Sequence, residues 1–525
     1  MNLWKIRVRA VAVVGGAALV GGVLITVPSQ ARTVGASDAA RAPAAAHATG
    51  ALAKPAVSRV PRGLAGPVDT SPPPAVRPAV DGASYAAMKG AADRTRASAK
   101  PRQIKPLAPP TVVGNNFNGT TQPVACGCLP PDTHGTVGVS HYVQIVNSRI
   151  VMYSKSTNAI VKQVSLNSFF GYTGAESNLL FDPRAVFDPV WKRYVLTAEG
   201  DLEADNQQYL FIGVSKTANP TGAFWIYKIL VNDNPNVFFD YPQLGMDADT
   251  VLVTANVFGL ANGLGTPYFF KKSALYNGLG FTYWSFSGLA QSTLSPSIVL
   301  DSNPVTFEVS APTSGSAIRK FGFKDTDRDP PVLTQNVDIP VAAYSVPPSA
   351  RQPGTTATLD TLDSRFVNAG TQVGDRLFQT HTVALGGFPA PKFYELNTTS
   401  NTVVQSGFYF ASGTSDDWNA SIAANANREV FVTWSSTDSP AGVRPQMRVS
   451  GKQPADTSIQ AGVATVTSGS VYTTGNPQRW GDYSSVSLDP VGVTGCAANR
   501  RAWGTNETVI AGPTWGTRIS RFGFC

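Results

Sequence analysis

The sequence predicts an all-β protein, a β-propeller of seven blades with six as the alternative, preceded by a signal peptide and a disordered Ala/Pro-rich segment. Three observations carry this. Gly and Pro account for 48 and 39 of the 525 residues while charged residues make up 14%, a balance that suits short strands joined by tight turns. A unit that couples a turn to an apolar or alternating strand recurs seven times, most clearly in RWGDYSSVSLDP at residues 479–490. The units fall about 59 residues apart across 111–525, enough for a four-stranded blade with generous loops. A sandwich of comparable length is the competing arrangement, to which a period of 50–65 residues is less natural.

In chain order, Lys5, Arg7 and Arg9 precede a charge-free apolar run at residues 10–27 and then Ser29-Gln30-Ala31, a small-x-small cleavage site. These are the three parts of a secretory signal, and residues 1–31 are read as one. A single membrane anchor is the competing reading, but the run of 18 residues falls short of the ~20 that span a bilayer. Residues 32–110 are rich in Ala, Pro and Arg, with hardly an aromatic. They bury too little apolar surface to offset chain entropy and read as a disordered basic linker. That stretch carries a net +8, expected either to tether the protein to anionic wall polymers or to act as a plain spacer. Residues 111–525 hold 27 basic and 30 acidic residues, so the folded part is slightly acidic and the overall +8 is no argument for nucleic acid.

From residue 111 the texture changes to β-branched and aromatic runs. The seven units are GVSHYVQIVN, FDPVWKRYVLTA, MDADTVLVTANVF, NPVTFEVSAP, GDRLFQTHTV, ANREVFVTWSS and the 479–490 stretch with its continuation; NPVTFEVSAP is the weakest. Four cysteines allow three pairings. Cys496 with Cys525 is preferred because it ties the last residue to the closing unit; the pairing of Cys126 and Cys128 stays open. A Cys-x-Cys pair without a neighbouring His cluster is poor zinc spacing.

Several pieces together, in order, resemble secreted bacterial sialidase-like β-propeller proteins of largely undefined function. They are CGCLPPDTHGTVGVSHYVQIVN, FDPRAVFDPVWKRYVL, KTANPTGAFWIY, ATLDTLDSRF, RWGDYSSVSLDP, TNE and TWGTRISRF, running from Cys126 to Cys525. The resemblance implies a propeller over the whole folded part and does not imply sialidase activity. The chain departs from the pattern at Ala497-Ala498-Asn499, where an aromatic usually follows the closing cysteine. A true sialidase would also show repeated Ser-x-Asp-x-Gly-x-x-Trp boxes; none occurs, and FDPR at 181–184 is only a passing likeness to the opening motif of those enzymes.

Function in a propeller concentrates where loops converge at one end of the channel, so residues at blade entrances are the candidates. These are Asp132, His134, Glu176, Asp182, Arg184, Asp363, Arg365, His381, Asp482, Tyr483 and Glu507. As a catalytic set, Asp182, Arg184, Asp363, Arg365, Asp482, Tyr483 and Glu507 would form a carboxylate-rich mouth with an acid and a base for a glycosidic bond. The competing reading is structural, since Asp in such turns caps its own backbone. Asp325, Asp327 and Asp329 have the i, i+2, i+4 spacing of calcium ligands, though Pro330 and Asn336 stand where an EF-hand needs Gly and Glu; a solvated turn competes. His381 is read as a core or channel-wall residue. Trp284 and Trp418 are candidates for stacking sugars, and Trp480 and Trp515 are assigned to the core. No His-Glu-x-x-His, Gly-x-Ser-x-Gly or phosphate-loop motif occurs, and GLANGLG at 259–265 reads as a hairpin loop.

The expectation is a secreted, monomeric, extracellular propeller that binds a glycan or cell-surface protein without catalysis, with calcium as the one cofactor in view. It would have no stable membrane insertion after signal cleavage. The alternatives are a carbohydrate-active hydrolase or lyase using the mouth carboxylates, and a structural protein held to the wall.

Overall fold

A computed structural model describes residues 46–61, 63, 82–103, 111–125, 127–173, 180–203, 205–259, 265–459, 462–473, 478–510 and 512–525. The expected signal peptide, Cys126, Glu176 and the centre of GLANGLG lie outside the described residues. Seven antiparallel blades follow one another. Blade 1 comprises His134–Val137, His141–Val146, Arg149–Ser154 and Ile160–Ser165. Blade 2 comprises Phe181–Asp188, Arg193–Glu199, Gln208–Ser215 and Phe224–Asn232, and blade 3 Phe238–Met246, Thr250–Phe258, Gly265–Lys271 and Phe281–Ser287. Blade 4 has a short inner strand, Ser297–Val299, bridged through Ser295 to Val309 of Thr306–Ser310, then Gly315–Lys324 and Val332–Tyr344. Blade 5 is Gly370–Val373, Arg376–Leu385, Phe388–Asn397 and Thr402–Phe408; blade 6 is Asp416–Ala424, Val430–Asp438, Val443–Lys452 and Val463–Thr467.

Blade 7 closes the ring. Its inner three strands, Ser485–Leu488, Arg501–Thr508 and Gly516–Gly523, come from the end of the chain, and its outermost strand is β3 (Thr111–Thr121) from the start of the folded part. The inner strand of blade 7 packs on that of blade 1. Cys496 and Cys525 form a disulfide at this closure, and Cys128 is also disulfide-bonded. The seven sequence units each fall on the inner hairpin of one blade, which is why they were visible: those strands are sandwiched between neighbouring blades and need apolar side chains on both faces. Outer strands alternate instead, as Val332–Tyr344 and Thr402–Phe408 do.

Every interface between neighbouring blades holds its own apolar cluster. Val143, Phe169, Leu196 and Phe211 fill the gap between blades 1 and 2, and Val195, Ile212, Val251 and Phe270 that between blades 2 and 3. Across the closure, Val137 and Tyr142 of blade 1 meet Trp503 and Ile519 of blade 7, with Tyr142 stacked on Trp503 at 5.5 Å.

The expectation of a disordered 32–110 linker is corrected where that segment is described. β1 (His47–Ala53) pairs antiparallel with Phe281–Ser287 as a fifth strand on blade 3, and β2 (Val57–Arg59) does the same on blade 2 through Phe224–Ile226. Both are largely exposed. Their order comes from backbone hydrogen bonds to blade edges, which need no apolar side chains, so composition could not reveal it. α1 (Gly82–Thr95) lies over the entrance face with Lys89 and Ala92 as its buried residues. Lys89 lies 3.6 Å from Asp360, Arg96 2.8 Å from Asp416 and Arg102 3.4 Å from Asp417. Part of the basic charge of this segment therefore faces the acidic propeller itself. Among the described residues, no helix is long and apolar enough to cross a membrane.

Candidate functional site

Inner strands run parallel where they pair around the channel, as in Met246 with Ile298 and Ser297–Val299 with Gly370–Gln372, so their N-terminal ends share one face. Several of these ends are irregular. In blade 2, Phe181 pairs with Glu199 and Arg184 with Thr197, which leaves Asp182 and Pro183 as a bulge; in blade 3, Tyr241 and Pro242 bulge after Asp240. Asn419 and Ala420 do so in blade 6. The bulged residues Asp182, Tyr241 and Asn419 have φ of 46°, 57° and 50°. Such bulges re-aim side chains at a strand end, and here they place polar groups at the mouth of the channel.

A chain of polar contacts descends from α1 into that mouth. Tyr85 donates to Asp360 at 2.8 Å, and Lys89 donates to Pro347 O, Thr361 Oγ1 and Leu362 O. Against burial, which raises it, Lys89 and Arg479 hold the Asp360 carboxyl below its ordinary value. Arg479 forms an ion pair with Asp482. The Asp482 backbone N–H donates to Asp132 Oδ1 at 2.8 Å, and Asn147 Nδ2 donates to Asp132 Oδ2 at 2.6 Å. Asn147 Oδ1 accepts from the Asp182 backbone at 3.0 Å. Beyond it, carboxylate oxygens of Asp182, Glu199 and Asp240 lie within 4.8 Å of one another. Burial, then the charge of Asp482, raises the Asp132 pKa. Burial, then Asp132 and Asp240, raises that of Asp182, and burial followed by Asp240 that of Glu199.

Below this acidic layer Arg184 crosses the channel. Its Nε donates to Pro242 O at 2.9 Å, and one terminal nitrogen donates to Val367 O and Asn368 Oδ1 at 2.9 and 2.8 Å. Its guanidinium lies 3.3 Å from the Tyr483 ring centroid, while the Tyr483 hydroxyl donates to Pro183 O. One side chain thus links blades 2, 3, 5 and 7. On the other side of this plug a mainly apolar cavity is lined by Val137, Leu244, Ile298, Ile422, Val486 and Leu488.

The structure brings the seven predicted catalytic residues to this one end of the molecule, all buried. Asp363 is held by Arg365 through two contacts of 2.7 Å, and Arg365 lies over Tyr241 at 5.0 Å. Glu507 accepts from Asn419 Nδ2 at 2.8 Å and from the Thr133 backbone at 3.4 Å; burial raises its pKa. His134 accepts from the Ala185 backbone at 3.2 Å. His381 sits in the blade 4–5 core, bonded to Ser364 O and the Tyr394 hydroxyl, with its pKa lowered to about 3 by burial. Sequence reasoning missed Glu199, Asp240, Asn147 and Arg479. Asp240 had a visible signal, since FFDYP at 238–242 echoes FDPR at 181–184.

Two expectations are corrected. Asp325, Asp327 and Asp329 do not converge: Asp329 holds Lys271 and Trp284 Nε1, and Asp327 faces Arg328 at 3.7 Å. Cations of the protein's own surface occupy the turn that the spacing had offered to calcium. Trp418 is 1% exposed and packs on Trp480 at 5.8 Å, so of the two surface candidates only Trp284 is partly exposed.

The blade count and ring closure define a seven-bladed β-propeller. No family model matches the chain, and no curated protein matches it. Among solved structures it is similar to the α-L-arabinanase of Penicillium chrysogenum, at 8% identity and a TM-score of 0.34 over 79% of this chain and 99% of that one. It is also similar to a DUF4623 family protein of Bacteroides eggerthii (8%, 0.33, 80% and 77%). A third is the WD40 domain of SCAP from fission yeast (10%, 0.32, 73% and 82%). At these values the blade count rests on the chain's own strand pairing.

Proposed function

We propose that the chain is an exported, non-catalytic recognition propeller that binds an extracellular glycan or a cell-surface protein. The observation that carries this reading is the engagement of the mouth residues with one another beneath α1. Asp363 is held by Arg365, Asp482 by Arg479, and Glu507 by Asn419. A glycosidase needs two carboxyl groups facing one bond from opposite sides, with room for the sugar between them, and here the groups sit under a helix that is itself hydrogen-bonded into the mouth. Three arginines do gather there, the number with which a sialidase grips its substrate's carboxylate. Arg365 and Arg479 are already paired, and Arg184 faces carbonyl oxygens and an aromatic ring. This supports placing the chain among sialidase-like propellers by motif order without their chemistry. The apolar run before Ser29-Gln30-Ala31 and the Cys496–Cys525 bond support export.

The test is a glycan array and a polysaccharide-depolymerisation screen on the full chain. Binding without product release is expected. Product release that disappears in Asp482→Ala and Glu507→Ala would replace this reading with a hydrolase or lyase at the mouth. Silence in both assays would leave a protein as the partner.

A further inference from the structure

Asp182, Glu199 and Asp240 come from three strands of two blades. Asp182 lies in the bulge of the blade 2 inner strand, Glu199 ends the strand paired with it, and Asp240 immediately precedes the bulge of the blade 3 inner strand. All three residues are 0% exposed. Neither carboxylate oxygen of Asp182 has a hydrogen-bond partner, although the group is fully buried and one of its oxygens lies within 4.8 Å of a carboxylate oxygen of each of the other two. Among the described residues no ion pair involves Asp182 or Glu199. Arg184, two residues along from Asp182, turns its guanidinium to Pro242 O, Val367 O and Asn368 instead. A buried polar group without a partner is costly, and a buried uncompensated charge far more so. Such a group is therefore expected either to hold a proton or to meet a cation.

We propose that Asp182, Glu199 and Asp240 form a binding site for a hard divalent cation of the calcium class, which fastens blade 2 to blade 3 beneath the entrance face. Carboxylate oxygens alone, with no His or Cys among the three, select hard cations over zinc or copper. Three carboxylates also bring enough negative charge to neutralise a divalent ion inside a low-dielectric wall. The bulges supply the geometry: Glu199 pairs with Phe181, so in a regular ladder the next residue, Asp182, would point to the face opposite Glu199, and the interrupted pairing at Asp182-Pro183, like that at Tyr241-Pro242 after Asp240, relaxes that alternation where the carboxylates converge. The site is separate from the Asp325, Asp327 and Asp329 turn, whose partners are Lys271, Trp284 and Arg328.

The competing state is a cluster held together by shared protons. The full chain, purified without added metal, is assayed for bound elements by mass spectrometry and melted with calcium, magnesium, manganese or a chelator. The proposal expects one calcium-class ion per chain, a Tm that falls by several degrees on chelation, and recovery with added calcium. Asp182→Asn and Glu199→Gln should each lose both the ion and the chelator response, while Asp327→Asn keeps both. Wild-type protein that carries no divalent ion and melts alike under all four conditions overturns the proposal in favour of shared protons. Retention of the ion by Asp182→Asn overturns it as well, by placing the ion elsewhere. Because the wild-type measurements decide by themselves, a variant that fails to fold does not protect the idea.

Discussion

Arg184 and Glu308 show how little a residue's identity says about its duty. The FDPR stretch put Arg184 among the catalytic candidates, but its partners are carbonyls of blades 3 and 5 and the ring of Tyr483. Those partners lie 58 to 299 positions away along the chain, as the separations from Pro242 and Tyr483 imply, and no local pattern encodes them. Glu308 attracted no notice in NPVTFEVSAP, yet it is fully buried on Thr306–Ser310 and both its carboxylate oxygens lack a partner. Burial pushes its pKa from 4.5 up to about 8. The folded state then keeps a proton that the unfolded chain releases above its ordinary value. The stability contributed by protonated Glu308 is complete below pH 4.5 and is lost as pH rises toward 8. Glu308→Gln removes this dependence. Its Tm relative to wild type should climb steadily between pH 5 and pH 8, by an amount corresponding to a few kcal/mol, because one proton held across a pH unit is worth about 1.4 kcal/mol. A difference that stays constant over that range would show that Glu308 is not the group that titrates.

At the scale of elements, the inner hairpins were legible because burial on both faces writes an unbroken apolar run, and MDADTVLVTANVF and ANREVFVTWSS each read as a strand for that reason. The elements that escaped are held by other means. β1, β2 and α1 have few buried side chains and attach through edge hydrogen bonds and isolated cation contacts, which leave no periodic trace. α1 is the informative case, because it covers the mouth through Tyr85 and Lys89 rather than through an apolar stripe. Lys89 is 7% exposed and donates to two backbone carbonyls and one hydroxyl, with the Asp360 carboxylate close by. Removing a buried donor of this kind costs about 1–3 kcal/mol, and each ~1.4 kcal/mol shifts an opening equilibrium tenfold. Lys89→Ala should therefore raise the rate of proteolytic cleavage within 82–103 by about fivefold to a hundredfold, with the far-UV circular dichroism of the blades unchanged. Cleavage at the wild-type rate would mean that Arg96 and Arg102, through Asp416 and Asp417, hold the segment without help from Lys89.

At the scale of the whole molecule, a propeller is as stable as the joint at which its two ends meet. The four main strands of each of blades 1 to 6 come from continuous chain, with β1 and β2 added only at the outer edges of blades 3 and 2, whereas blade 7 joins β3 to Gly516–Gly523 across some 400 residues. Closing a ring over such a distance is entropically expensive, and nothing along the backbone holds the joint once those hydrogen bonds open. The Cys496–Cys525 disulfide acts at that place. It connects the turn before Arg501–Thr508 to Cys525, two residues beyond Gly516–Gly523, so the two C-terminal strands stay together while β3 docks. With a sequence separation of 29, the chain-entropy model gives it a stabilisation of about 3–4 kcal/mol. In the double variant Cys496→Ser/Cys525→Ser, Tm should fall, and amide hydrogen exchange should accelerate first in β3 and Gly516–Gly523. The inner strands of blades 2 to 5 should keep their protection at temperatures well below the melt, because their interfaces do not include the joint. Exchange that accelerates evenly around the ring would instead make the seven blades one cooperative unit, with the closure no weaker than any other interface.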